Sequence, residues 1–160
     1  MSITSSTDPL TYVHEWLWSA LEGDQTFCDL VHQRRRLKTA TFYNPTMIAG
    51  LAEADTPSVA IYLSTLGFHP DAATNLSLVE ADFTVNVITA GVNTDDVFPV
   101  IWAIVRRFIE VRPDLIDDDY IYDCVLLQSE TKYVTEGRIG IITACGLNVQ
   151  IAMANTTIRS

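Results

Sequence analysis

The sequence predicts an α+β domain in which helices pack on one face of a largely antiparallel, four-stranded sheet. Apolar residues recur at helical spacing in two stretches, 10–21 and 97–109, while strict alternation of apolar and polar residues marks 79–87. Further β-branched stretches separated by turn residues pair up into two long hairpins, so the order is helix, hairpin, helix, hairpin. At 160 residues the chain suits a single domain over 1–160, long enough to bury about 70% of its unfolded surface around one core.

The first helix opens on Thr7 or Asp8 as N-cap with Pro9 at the first helical position, where a missing N–H costs nothing. Leu10, Val13, Leu17, Ala20 and Leu21 form its apolar stripe, and Gly23 ends it after about Glu22. Asp24 then caps a short continuation carrying Phe27, Leu30 and Val31. Trp16 and Trp18 lie off the stripe, so at least one of them needs cover from elsewhere. Periodicity fades from Gln33 to Thr56, which is predicted to be an extended arm or long loop; loops of that length in compact domains are usually functional or mobile. From Pro57, Val59, Ile61 and Leu63 alternate with Ala60 and Tyr62 in a first strand, and Gly67 to Asn75 supplies a wide hairpin loop. In the second strand Val79, Ala81, Phe83, Val85 and Val87 share one face, opposite Glu80, Asp82, Thr84 and Asn86.

The run Asn93-Thr94-Asp95-Asp96 puts cap oxygens and negative charge at the positive end of a helix dipole. Val97, Ile101, Ile104, Val105 and Phe108 make the main stripe of that helix, and Pro113 marks its stop. Phe98, Trp102 and Ile109 add a second apolar flank, so cover is expected on more than the sheet side. After an acidic loop at 114–119, strands from about Tyr120 to Ser129 and from about Arg138 to Met153 close the second hairpin. Residues 139–157 carry no charge and are about as long as a membrane span, but Gly140, Gly146, Asn148, Gln150 and Asn155 make them a kinked strand and not a span.

Twenty acidic against ten basic residues leave a net charge of −10, which opposes wrapping on phosphates unless the basic residues are segregated. Arg34, Arg35, Arg36 and Lys38 are segregated in this way. They admit three readings: a phosphate clamp, a contact for an acidic patch on a neighbouring subunit, or a solvated surface. No aromatic platform interleaves with them, which lowers the single-stranded nucleic-acid reading. The N-terminal residues show neither a positive n-region nor an apolar segment, so no secretory signal is expected. Cys28, Cys124 and Cys145, odd in number and widely spaced among apolar neighbours, suit reduced core thiols.

Signatures of catalysis are lacking: there is no Gly-rich phosphate loop, His-Glu-x-x-His, Cys-x-x-Cys or Gly-x-Ser-x-Gly. Neither an enzyme nor a cofactor is expected, although a hydrolase or ligand-binding site can sit on any α+β fold. Cys28 with His32, and His14 beside them, is the nearest approach to a metal set; without two further ligands the pair is read as a core thiol beside a surface imidazole. The triplet His69-Pro70-Asp71 offers a base with an acidic neighbour but belongs to the expected hairpin loop. Asp117, Asp118 and Asp119, with Asp114, diverge too strongly for a calcium loop and are read as a solvated turn. Trp16, Trp18, Phe98 and Trp102 either complete the core or anchor an interface.

In layout the chain resembles the tail terminator, or tail-completion, proteins of long-tailed bacteriophages, which have relatives among head–tail joining proteins. The resemblance rests on the helix from Asp8-Pro9-Leu10 to Leu21, the strand Pro57-Ser-Val-Ala-Ile-Tyr62 and the alternating Ala81-Asp-Phe-Thr-Val-Asn-Val87. It continues through the Asp95-Asp96 helix start and the hairpin from Tyr122 to Met153, and so spans nearly the whole chain. It implies a non-enzymatic virion protein, assembled in the host cytoplasm, that forms a hexameric ring on the tail tube protein, stops tube growth and meets the head–tail connector protein. It also implies a central passage in which acidic groups, here Asp117, Asp118 and Asp119, let DNA slide past without specific binding. Arg34, Arg35, Arg36, Lys38, Phe98 and Trp102 are then the candidate subunit contacts. The arm at 33–56 and the length depart from the family pattern and leave another neck or minor tail protein, or a nucleic-acid-binding module using the arm, as alternatives.

Overall fold

A computed structural model of the chain describes residues 8–44, 57–71, 76–90, 97–116, 121–135 and 139–154; in the second hairpin it describes the backbone alone. Helix α1 spans Pro9–Glu22 and starts where expected, because extended Asp8 turns its carboxylate back to accept the Thr11 N–H at 2.7 Å. At the other end the Gly23 N–H closes on the Ser19 carbonyl at 3.0 Å. Asp24 then caps α2, Gln25–Leu30, by accepting from the Phe27 N–H at 3.3 Å. A short 3-10 turn, Gln33–Arg35, follows. The remaining elements are β1 (Ser58–Asp71), β2 (Leu76–Ala90), α3 (Val97–Ile116), β3 (Ile121–Thr135) and β4 (Ile139–Ala154).

Backbone pairing is antiparallel throughout, in the order β1-β2-β4-β3, which leaves β1 and β3 as edges. In the first hairpin Val59 faces Val87, Ile61 faces Val85 and Leu63 faces Phe83. These residues share the face that the helices cover, where Val13, Leu17 and Leu21 of α1, Phe27 of α2 and Val100, Ile104 and Phe108 of α3 complete one core. Nearly all of these side chains are fully withdrawn from solvent. At about 1.5–3 kcal/mol for each large apolar side chain, this burial is the main favourable term in folding. A smaller layer lies on the opposite face, where Ala60, Tyr62 and Ile88 are covered by Leu37 and Ala40.

The expected fold needs correction. Among the residues whose side chains are described, the core is built on a two-stranded antiparallel hairpin, β1 with β2, and three helices, and not on the expected four-stranded sheet with helices on one face. The stretch expected at 33–56 to be an extended arm or long loop is described over 33–44, where a 3-10 turn is followed by a loop whose part at 36–41 forms a strap beside β1. There the Leu37 N–H donates to the Val59 carbonyl at 2.8 Å and the Leu63 N–H to the Thr41 carbonyl at 2.9 Å. Sequence periodicity missed this because the strap uses two isolated backbone contacts and two small apolar residues in place of a repeating stripe.

Strand bounds shift for an equally local reason. The register slips between Leu63 and Thr65, so the alternation that begins at Val59 is broken while the ladder itself continues to Asp71 opposite Leu76. Pro70 is tolerated there because β1 is an edge strand. Helix α3 likewise runs past Pro113 to Ile116; the proline forgoes its own N–H bond, yet the residues after it keep helical geometry. No helix among the described residues is long and apolar enough to cross a membrane.

Candidate interaction surface

Glu22, at the end of α1, holds the strap in place. Its carboxylate accepts from Arg36 Nη1 at 2.9 Å and from Lys38 Nζ at 2.6 Å. Arg36 Nε donates to the Val31 carbonyl at 2.9 Å, and the guanidinium lies 5.9 Å from the centre of the Phe27 ring. Burial opposes ionisation of Glu22, but the hydrogen bonds and charges of Lys38 and Arg36 outweigh it and hold its pKa below the ordinary value. The Arg36 side chain is only 11% exposed, so this pair is screened far less than a surface bridge. Beneath the strap, buried His14 places Nε2 2.9 Å from the Ile61 carbonyl and so occupies a backbone group of the β1 edge. Tyr62 is buried with no hydrogen-bond partner for its hydroxyl among the described residues, and burial, with Tyr43 adding to it, pushes its pKa up to about 12.

Helix α3 is tied to the α1–α2 junction on its inner side. Arg106 Nη2 reaches Asp24 at 3.0 Å and Nη1 reaches Glu110 at 2.8 Å, while Arg107 Nε donates to the Ala20 carbonyl at 2.6 Å. Its outer side is apolar. Phe98 is 82% exposed, Trp102 61% and Ile109 58%, with half-buried Val105 between them. Spacings of four, three and four residues place these side chains on one helical face, and together they form a ridge. At the β1 edge lies an open groove of about 420 Å³, floored by Leu10, Leu63 and Phe83, walled by exposed Phe42, and bordered by Asp8, Thr11, His14, Glu15 and Lys38.

The residues singled out in the sequence are thus separated by the structure. Arg36 and Lys38 are engaged within their own chain by Glu22, whereas Arg34 and Arg35 lie in the 3-10 turn. Phe98 and Trp102 are on the surface, but Trp18 is in the core and Trp16 is part-buried and stacked on Tyr12 at 6.3 Å. Asp117, Asp118 and Asp119 lie outside the described residues, and the His69 and Asp71 side chains are not described. Cys28 Sγ donates to the Glu22 carbonyl at 3.3 Å, and His32 is exposed. Among the described residues no three potential metal ligands of the His, Cys, Asp and Glu types come together. Glu22 and the groove were not picked out from the sequence, and His14 was considered there only as a metal ligand beside Cys28 and His32, not as a partner of β1. Glu22 meets the strap across 14 and 16 residues and His14 meets Ile61 across 47, so no local spacing signals either contact.

Comparison with known proteins finds no matching family model and no matching curated sequence. Among solved structures, the chain is similar to one in the virion of a native gene transfer agent particle. The TM-score is 0.58 at 14% sequence identity, covering 86% of this chain and 92% of that one. At this identity the likeness is one of fold.

Proposed function

We propose that the chain is a structural protein of a virion and, within that class, a tail terminator: a ring-forming subunit that caps the tail tube, stops its growth and joins it to the head. The observation that carries this reading is the fold likeness to a chain of a gene transfer agent virion particle, which extends over nearly the whole of both chains. The layout of elements that resembles tail terminators supports the finer role. So does the exposed aromatic ridge of α3, since solvent-facing Phe and Trp in one stripe are what subunit contacts bury. In this reading the partners are further copies in a hexameric ring, the tail tube protein and the head–tail connector. A net charge of −10 favours passage of DNA without retention. The chain works by shape and assembly, with no catalytic step and no cofactor.

Electron microscopy of the purified protein, alone and mixed with tail tubes, tests this. Six-fold rings, or caps at tube ends that arrest elongation, are expected. Monomers at every concentration together with uncapped, growing tubes would discard the reading.

A further inference from the structure

We propose that the groove between α1 and β1 binds an extended segment of a partner polypeptide carrying a Lys or Arg side chain next to an apolar one on the same face. Its floor of Leu10, Leu63 and Phe83 and its Phe42 wall are apolar, and its volume of about 420 Å³ falls in the ordinary range of ligand sites, about 300–1,000 Å³. The apolar surface continues beyond the groove. Leu66 pairs with core-facing Ala81 as Leu63 pairs with Phe83, so it extends the floor along β1, and it is 55% exposed. The last strap contact on β1 is at Leu63, whereas the strand runs on as a sheet edge to Asp71. A small molecule would use the groove alone. An extended chain also meets Leu66 and can add its main chain to the edge, with alternate side chains turned to the floor.

Three polar groups set the charge of the occupant. Asp8 and Glu15 border the groove, and among the described residues no cation pairs with either. Lys38, the basic residue of the border, is already neutralised by Glu22. The third group is His14, which lines the groove and is 8% exposed. Because the Ile61 carbonyl can only accept, Nε2 carries a proton, and in the neutral ring Nδ1 is then an acceptor. Nδ1 has no partner among the described residues. Two carboxylates and an acceptor around an apolar floor match a donor cation on an apolar stem, the chemistry of Lys and Arg. A chain of net charge −10 also draws such a segment in from a distance.

The inference goes beyond the ring reading and stands or falls apart from it, since rings and caps are scored with no peptide present. Its test titrates the isotope-labelled full chain with the blocked peptide Thr-Leu-Thr-Arg-Thr-Leu-Thr and with versions that carry citrulline or Glu in place of Arg, followed by NMR. The Arg peptide is expected to shift the amide signals of Thr11, Glu15, Leu63 and Leu66 saturably, the citrulline peptide more weakly and the Glu peptide not at all. Glu15→Gln, at an exposed position outside the core, should weaken the Arg peptide about two- to fivefold, the effect of one partly exposed charge pair, and leave the citrulline peptide unchanged. Shifts only at other residues, equal binding of the three peptides, no binding up to the solubility limit, or no effect of Glu15→Gln would overturn the proposal. Butylguanidine binding as tightly as the Arg peptide would overturn it too, by making the site one for a small cation.

Discussion

At the scale of single residues, Glu22 and His14 do more than their types suggest, because each ends a connection that the chain makes over a long separation. Replacing Glu22 by Gln removes the charge that pairs two cations, one of them nearly buried, and turns one of its two acceptor oxygens into a donor; it is expected to cost about 1–2 kcal/mol in denaturant unfolding. Its pKa is lowered in the folded state, so its contribution is fully present above the unfolded value, near 4.5, and is lost as pH falls through the folded value. Wild-type protein should therefore lose more stability between neutral and acid pH than Glu22→Gln does. Parallel curves for the two proteins would remove Glu22 from this role. His14→Leu fills similar space without a donor and leaves the Ile61 carbonyl unpaired under the strap, an expected loss of about 1–3 kcal/mol readable by the same unfolding experiment.

At the scale of elements, the helices were legible wherever capping and periodicity coincide. Asp8, Pro9 and Gly23 bound α1, and Asp24 starts α2, because each supplies or forgoes a particular backbone hydrogen bond. Asp24 also meets Arg106 from 82 residues away, which no local pattern discloses. The two roles separate on substitution: Asp24→Asn keeps a capping oxygen and loses most of the charge pairing, while Asp24→Ala loses both and should be the less stable by about 1 kcal/mol. What could not be read were the strap, which has no period, and the strand continuing past the register slip near Ser64. The stripe of α3 was read a little off its true centre, since Val100 and Ala103 are buried while Ile101 and Val105 are half-exposed. The aromatic flank was visible in the sequence, but whether a single subunit covers it depends on tertiary packing. Its two faces should respond in opposite ways. Phe108→Ala, in the core, is expected to cost about 3–5 kcal/mol. Trp102→Ala should leave thermal unfolding of the dilute protein nearly unchanged and weaken self-association measured by sedimentation.

At the scale of the whole molecule, charge and contact chemistry pull in different directions, and the balance can be measured. Each copy carries a net charge of −10, so bringing copies side by side raises a repulsion that salt screens over about 8–10 Å at moderate ionic strength. Arg36 and Lys38, which a docking arm would use on an acidic neighbour, are held by Glu22 inside the same chain. The exposed area on α3 is aromatic, and apolar contacts are not weakened by screening. A ring joined mainly through the ridge should thus assemble more readily as salt rises, since repulsion is relieved and attraction remains. A ring joined through Arg34 and its basic neighbours on an acidic surface should come apart over the same range. Sedimentation velocity from low to about 0.5 M salt separates these alternatives. The ridge model expects a shift toward larger species with increasing salt, abolished by Phe98→Ala with Trp102→Ala. A salt-driven shift toward monomer that the double variant does not alter would move the subunit contact from α3 to the basic run.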